Sequence, residues 1–107
     1  MTRQGAHQRY GAAEPPATGT TWRLTPVTAY DEMARLAEAG RRGWHSVGFG
    51  MLYHDLERSD VQWEHLRITA FQRHRHRDLL AEGWQRIGTM SFPWAYYARP
   101  TRQPAAE

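Results

Sequence analysis

Two stretches of this chain repeat one another. Val27-Thr28-Ala29-Tyr30-Asp31 is answered by Ile68-Thr69-Ala70-Phe71-Gln72, and Gly43-Trp44-His45-Ser46-Val47-Gly48 by Gly83-Trp84-Gln85-Arg86-Ile87-Gly88. Trp22 and Trp63 precede the two threonines by the same interval, whereas the second Gly-Trp pair arrives one residue early. A repeat of this length constrains a fold more than composition can, because each copy must be one supersecondary unit that buries its apolar face against the other.

Each copy reads as strand, helix, strand, strand. Thr28 followed by Asp31, and Thr69 followed by Gln72, resemble capping boxes at two helix starts. Behind the first, Tyr30, Met33, Leu36, Ala37 and Gly40 recur at helical spacing, with Asp31, Arg35 and Glu38 opposite, which predicts a core-facing surface helix. From Trp44 to Phe49 the alternation sets Val47 and Phe49 on one face and Trp44 and Ser46 on the other. Met51 to Glu57 and Val61 to Thr69 form two further extended runs around Arg58-Ser59-Asp60, a loop of hairpin composition. A second helix runs from about Ala70 to Glu82, and Trp84 to Thr89 and Ala95 to Arg99 supply the last strands. The expectation is an α+β fold: two βαββ repeats forming an antiparallel-rich sheet with two helices on one face, a sandwich on the ferredoxin-like plan. Val47, Phe49, Leu66, Ile68 and Ile87 should then face Met33, Leu36, Leu79 and Leu80.

At 107 residues the chain has room for one domain. Residues 1–21 and 100–107 are rich in Gly and Pro without apolar periodicity, so both read as disordered tails around a single domain at 22–99, with repeats at 22–57 and 61–99. The absence of cysteine excludes a disulfide framework and thiolate metal sites. No signal-peptide stretch and no apolar run of membrane-spanning length is present, and the expectation is a soluble, cytoplasmic protein without a membrane partner. All 14 basic residues are arginine. The formal charge of +3 is a weak pull on an anionic partner.

Met33 to His45, with Leu36 in the helix before Gly43-Trp44 and with Val47-Gly48-Phe49-Gly50 after it, resembles the bacterial family catalogued as domain of unknown function 2812. Leu79-Leu80-Ala81-Glu82-Gly83-Trp84 and the aromatic end at Phe92, Trp94, Tyr96 and Tyr97 resemble that family's closing pattern. The resemblance covers nearly all of residues 22–99. It implies a fold and supplies no catalytic residues.

Three functional readings follow from the residues. In the first, the protein is a non-catalytic binding or interaction module. Strand alternation would place Trp44, Trp63 and Trp84, with Tyr53, His65 and Arg67, on the helix-free sheet face, a platform for a small apolar or aromatic ligand, a protein partner or a second copy. Against it stands the reading of each Gly-Trp pair as a corner that seals the core. In the second, Arg73, His74 and Arg77 share a helix face and contact nucleic-acid phosphates, against a plainly solvated face. His74 and His76 lie two apart on that helix and cannot grip one ion, and His76 reads as a satisfied, partly buried histidine. The third is a small enzyme built on His54, Asp55, Glu57, Glu64 and His65 of the central hairpin, where a carboxylate beside a histidine would act as a base. No nucleophile elbow, phosphate-cradling loop or metal-ligand triplet stands in the sequence, and neither catalytic residues, a metal nor a cofactor is assigned.

Overall fold

The computed structural model describes residues 11–91 and 93–106. The elements run β1 (Gly11–Ala12), β2 (Thr21–Leu24), α1 (Glu32–Arg41), β3 (Trp44–Gly50), β4 (Tyr53–Arg58), β5 (Val61–Thr69), α2 (Arg73–Ala81), β6 (Gln85–Ser91) and β7 (Trp94–Pro104). The class is α+β, as expected. The strands divide over two sheets, however, ordered β1-β2-β4-β3 and β5-β7-β6. In the first, β4 is antiparallel to β2 and β3, and in the second β7 is antiparallel to β5 and β6. Both βαββ units therefore put their third strand in the middle.

The division follows from the connection at Arg58-Ser59-Asp60, which is not the hairpin that its composition suggests. The Ser59 amide donates to the Gly43 carbonyl (2.8 Å), and the Asp60 carbonyl accepts from the Ala105 amide (2.8 Å), so the chain leaves one sheet and enters the other. The first unit's real hairpin joins β3 and β4 through Met51-Leu52, where Gly50 pairs with Tyr53 and Leu52 takes a left-handed φ of 66°. The two Thr-led boxes form half of the expected pattern in both copies: the Asp31 carboxylate accepts from the Thr28 amide and hydroxyl (2.8 and 3.1 Å), and Gln72 Oε1 from those of Thr69 (3.3 and 3.1 Å). These turns close the strand-to-helix corners, and each helix begins just after its own turn.

α1 packs on two sides. Leu36 and Ala39, with Met33, meet Trp22, Leu24, Val27, Trp44 and Leu56 of the first unit. On the other side Gly40 lies against β5 so closely that a Cβ there would stand 2.1 Å from the Trp63 carbonyl oxygen, an approach only glycine allows. α2 covers a single face: Leu79 packs on Ile68, Ala95 and Tyr97, with Leu66 and Trp84 beside them. The reverse face of that sheet gathers Ile87, Tyr96 and Ala98 with Met33, Phe49, Trp63 and Trp94. With both faces covered, Ala95 to Ala98 of β7 are all buried, where a one-sided strand would alternate.

Three further expectations need correction. Val47 does not face a helix: Trp44 and Ser46 turn inward, alternation leaves Val47 outward and 40% exposed, and a register shift between Ser46 and Gly48 then brings Phe49 to the buried face. Leu80 and Tyr30 also point outward, Tyr30 completely so, since the helix starts only at Glu32 and leaves Tyr30 in the preceding turn. The tails are also shorter than the sequence suggested. β1 pairs with β2, Thr21 belongs to β2, and β7 continues to Pro104, after which the Ala106 amide donates to the Arg41 carbonyl (2.7 Å). The tail expected at residues 1–10, and residue 107, lie outside the described residues.

Candidate functional site

The aromatic platform expected on the helix-free face does not form, because Trp44 turns to the α1 side of its sheet and packs with Leu36, Ala39 and Trp22. Trp44 is only 2% exposed and meets Trp22 edge to face, ring centroids 5.4 Å apart. Trp63 stacks on His45 at 4.0 Å, and its Nε1 donates to Ser59 Oγ (2.7 Å). Tyr53 lies under the Arg23 guanidinium and Trp84 under that of Arg99. Arg67 bridges the units, donating to the Ala29 carbonyl (3.2 Å) and Glu32 (3.1 Å) while covering the Trp94 ring. Trp63, His65 and Trp84 do share one open groove, with Gln62, Glu64 and Arg41. Trp44, Tyr53 and Arg67 do not join them.

The carboxylates and histidines expected on a central hairpin are divided between sheets. Asp55 on β4 holds Arg23 in a bidentate pair (2.8 and 3.1 Å), and Glu64 on β5 holds Arg99 (2.9 and 3.1 Å). His65 Nε2 accepts from the Ser46 amide (3.1 Å), and its Nδ1 is buried without a hydrogen-bond partner. Burial, reinforced by the neighbouring His54 and His45, pushes the His65 imidazole down to about 3, so it stays neutral. Burial lowers His45 as well, with Glu57 partly opposing it.

His54 instead finds a partner the sequence did not advertise. Its Nε2 donates to Glu32 Oε2 (2.7 Å), while Nδ1 meets Ser46 Oγ (2.8 Å). Glu32 Oε1 accepts from the Tyr96 hydroxyl (2.8 Å) and from Arg67. Burial pushes the Glu32 carboxyl up, but the bonds from His54, Tyr96 and Arg67 outweigh it and hold the group below its ordinary range. Burial, and the bond to Glu32, push the Tyr96 phenol up. The serine, histidine and carboxylate lie in the order of a nucleophile relay, yet Ser46, His54 and Glu32 are 3%, 0% and 7% exposed. In this arrangement the network ties α1 and the first sheet to the second. Glu32 escaped sequence reasoning because an acidic residue in a first helical turn needs no explanation beyond the dipole.

On α2, Arg73, His74, Arg75 and Arg77 are exposed. Arg77 donates to His74 Nδ1 (2.8 Å). His76 turns inward, half-buried, and bonds the Tyr97 hydroxyl, as its helical position indicated.

A cleft of about 250 Å³ opens beside α1. Trp22, Trp44 and Leu24 form its floor, Ala34 and Ala39 of α1 one wall, and the segment from Ala13 to Pro15 the other. Arg35, Glu38 and Arg42 stand at its rim. Arg35 is anchored to the Ala13 carbonyl (3.0 Å), and Glu38 pairs with Arg42 (3.2 Å). Trp22 marks the start of the first repeat, and its alignment with Trp63 was the available signal. At the pole where both helices begin, Tyr30, Met51, Leu52 and Phe71 are 100%, 87%, 53% and 72% exposed. Tyr30 and Phe71 each stand two residues after the threonine of a Thr-led turn. Among the described residues no helix is long and apolar enough to cross a membrane. No family model, no curated protein and no solved structure matches this chain.

Proposed function

We propose that this protein is a small non-catalytic binding module, cytoplasmic, built by duplication of one βαββ unit, and that its ligand site is the cleft floored by Trp22 and Trp44. The floor of two indole rings is the observation that carries this reading. The polar demand of Trp22 is met inside the protein, its Nε1 donating to the Ala12 carbonyl (2.9 Å), so the small part of its largely buried ring that borders the cleft is apolar. An apolar cavity of roughly 150 Å³ holds benzene, and the larger cleft suits one aromatic ring system or a short acyl chain. The matching strand order of the two βαββ units, β2-β4-β3 and β5-β7-β6, supports the duplication. The resemblance to domain of unknown function 2812 is retained as a proposal of kinship alone.

Indole and naphthol serve as probes, read by saturable change in tryptophan fluorescence and by thermal shift. Ala34 is an exposed helix residue on the cleft wall, so Ala34→Leu fills the cleft without disturbing the core. Saturable probe binding that this variant abolishes, at unchanged unfolding temperature, is expected. Equal binding by both proteins would refute the assignment.

A second reading, self-association through the pole of Tyr30, Met51, Leu52 and Phe71, rests on their exposure, because large apolar groups gathered at one end of a small protein mark interaction surfaces. Sedimentation of the Tyr30→Ser/Met51→Ser variant beside the native chain tests it. A native dimer that this variant dissolves is expected, and a native monomer at millimolar concentration would end it.

A further inference from the structure

The two helices handle their arginines differently. On α1, Arg35 lies 3.9 Å from Asp31, and Arg41 and Arg42 both reach Glu38 (3.1 and 3.2 Å). On α2, among the described residues, Arg73, Arg75 and Arg77 have no ion pair, although all three are exposed within five successive positions. Arg73 and Arg75 stand in the first turn with no acidic residue there, where cations oppose the helix dipole. Helix stability therefore does not explain them. They border a surface recess with Phe71, Gln72, His74 and Asp78, and Asp78 is the one carboxylate among its lining residues. Phe71 is 72% exposed at its edge.

The geometry points to a binding surface for a single-stranded nucleic acid across the start of α2: Arg73 and Arg75, on opposite flanks of the recess, and Arg77, one turn along from Arg73, take backbone phosphates, and the Phe71 ring stacks on a base. Charge complementarity requires a polyanion. The exposed ring beside the arginines selects a nucleic-acid strand over an acidic protein, because aromatic rings stack on bases without regard to sequence. The planar guanidinium fork matches phosphate oxygens in pairs, so three arginines suit a strand with phosphates at successive positions. Asp78 weakens the field at one side and directs the strand toward the helix start. This surface is separate from the Trp22–Trp44 cleft, and either assignment can fail alone.

Fluorescence anisotropy of a labelled twelve-nucleotide oligothymidine tests the surface. Three phosphate contacts on a single strand give a salt slope near −2, so affinity should fall about 10- to 20-fold between 50 and 200 mM salt. Arg73→Gln/Arg75→Gln/Arg77→Gln should lose most binding, about tenfold or more. Phe71→Ser should lose about fivefold or more while keeping the salt slope. Arg41→Gln/Arg42→Gln, on the other helix, should bind as the native protein does, with circular dichroism confirming that each variant is folded. No native binding at about 100 μM protein in 50 mM salt, or equal binding by the triple variant, would overturn the proposal. Polyglutamate competing as well as the oligonucleotide, with Phe71→Ser unaffected, would overturn it in favour of an acidic protein partner.

Discussion

Acid should unfold this protein through His65 before it reaches the carboxylates. The ring sits between β3 and α1 and accepts the Ser46 amide at Nε2, with Nδ1 buried and unpartnered, so a proton gained at Nε2 would face that amide donor with no acceptor to receive it. Its folded-state value of about 3 stands well below the ordinary 6.5. The unfolded chain therefore binds the proton first as pH falls. Stability from this group is complete above 6.5, declines as pH falls toward 3 and changes no further below that. At 1.36 kcal/mol per pH unit the full span corresponds to roughly 5 kcal/mol, of which no more than about 2 kcal/mol is lost between pH 7 and pH 5. Glu32 does not confuse this interval: its depressed carboxyl contributes stability above 4.5 that is lost only in stronger acid. Urea unfolding at pH 7 and pH 5, followed by tryptophan fluorescence, measures the loss. His65→Gln keeps an acceptor for the Ser46 amide but cannot titrate, so its loss over the same interval should be smaller by up to about 2 kcal/mol, with His45 supplying the remainder. Equal losses in the two proteins would refute the reasoning.

The two Gly-Trp corners should respond unequally to alanine. Both glycines take positive φ (95° at Gly43, 92° at Gly83), so each substitution carries strain of about 1 kcal/mol, but a Cβ at Gly43 would meet the Ser59 carbonyl at 2.4 Å whereas one at Gly83 has only Arg99 Cδ at 3.9 Å; denaturant midpoints should rank Gly43→Ala well below Gly83→Ala. Removing residues 101–107 takes away the end of β7 and its bonds to Asp60 and Arg41, and calorimetry should show the unfolding temperature falling by about 5 °C. Glu32→Gln exchanges an acceptor-only carboxylate for an amide that cannot serve His54, Tyr96 and Arg67 at once, and chemical denaturation should show a loss of about 3–5 kcal/mol, the range for breaking a buried ion pair.

The elements themselves were legible because their signals are local. Helical spacing around Leu36, strand alternation and the two Thr-led turns each depend on a few neighbouring residues. The division into two sheets was not, since it depends on Ser59 and Asp60 bonding to Gly43 and Ala105, partners distant in sequence or in the other unit. The phase of β3 was lost for a similar reason: the burial of Trp44 with Trp22 and Leu36 decides which face turns inward, and the bulge at Ser46 to Gly48 that then sets Phe49 leaves no mark that alternation can detect. The candidate site suffered most. Trp22 and Trp63, and Trp44 and Trp84, were recognised as paired features, but Trp44 packs on its own helix whereas Trp63 is covered by His45 of the other unit, and neither contact is written in the pairing. His76 was placed correctly because one helix face decides its surroundings.

The two units share one connectivity and differ in what their helices must do. α1 lies between its own sheet and β5, so it needs small residues at Ala39 and Gly40 and leaves no solvent side for Glu32, whose charge is held by donors from three other strands. α2 covers one sheet face only, burying Leu79 and half-burying His76. Its outer surface is consequently released from packing, and the sequence fills it with arginine. The cleft at Trp22 and Trp44 arises from the same asymmetry, because a helix drawn toward β5 leaves its opposite flank, at Ala34 and Glu38, standing away from the β1–β2 edge. One docking event between equivalent units thus accounts for both surfaces: the apolar recess lies on the flank that α1 turns away from its neighbour, and the cationic face lies on the helix that has no neighbour to meet.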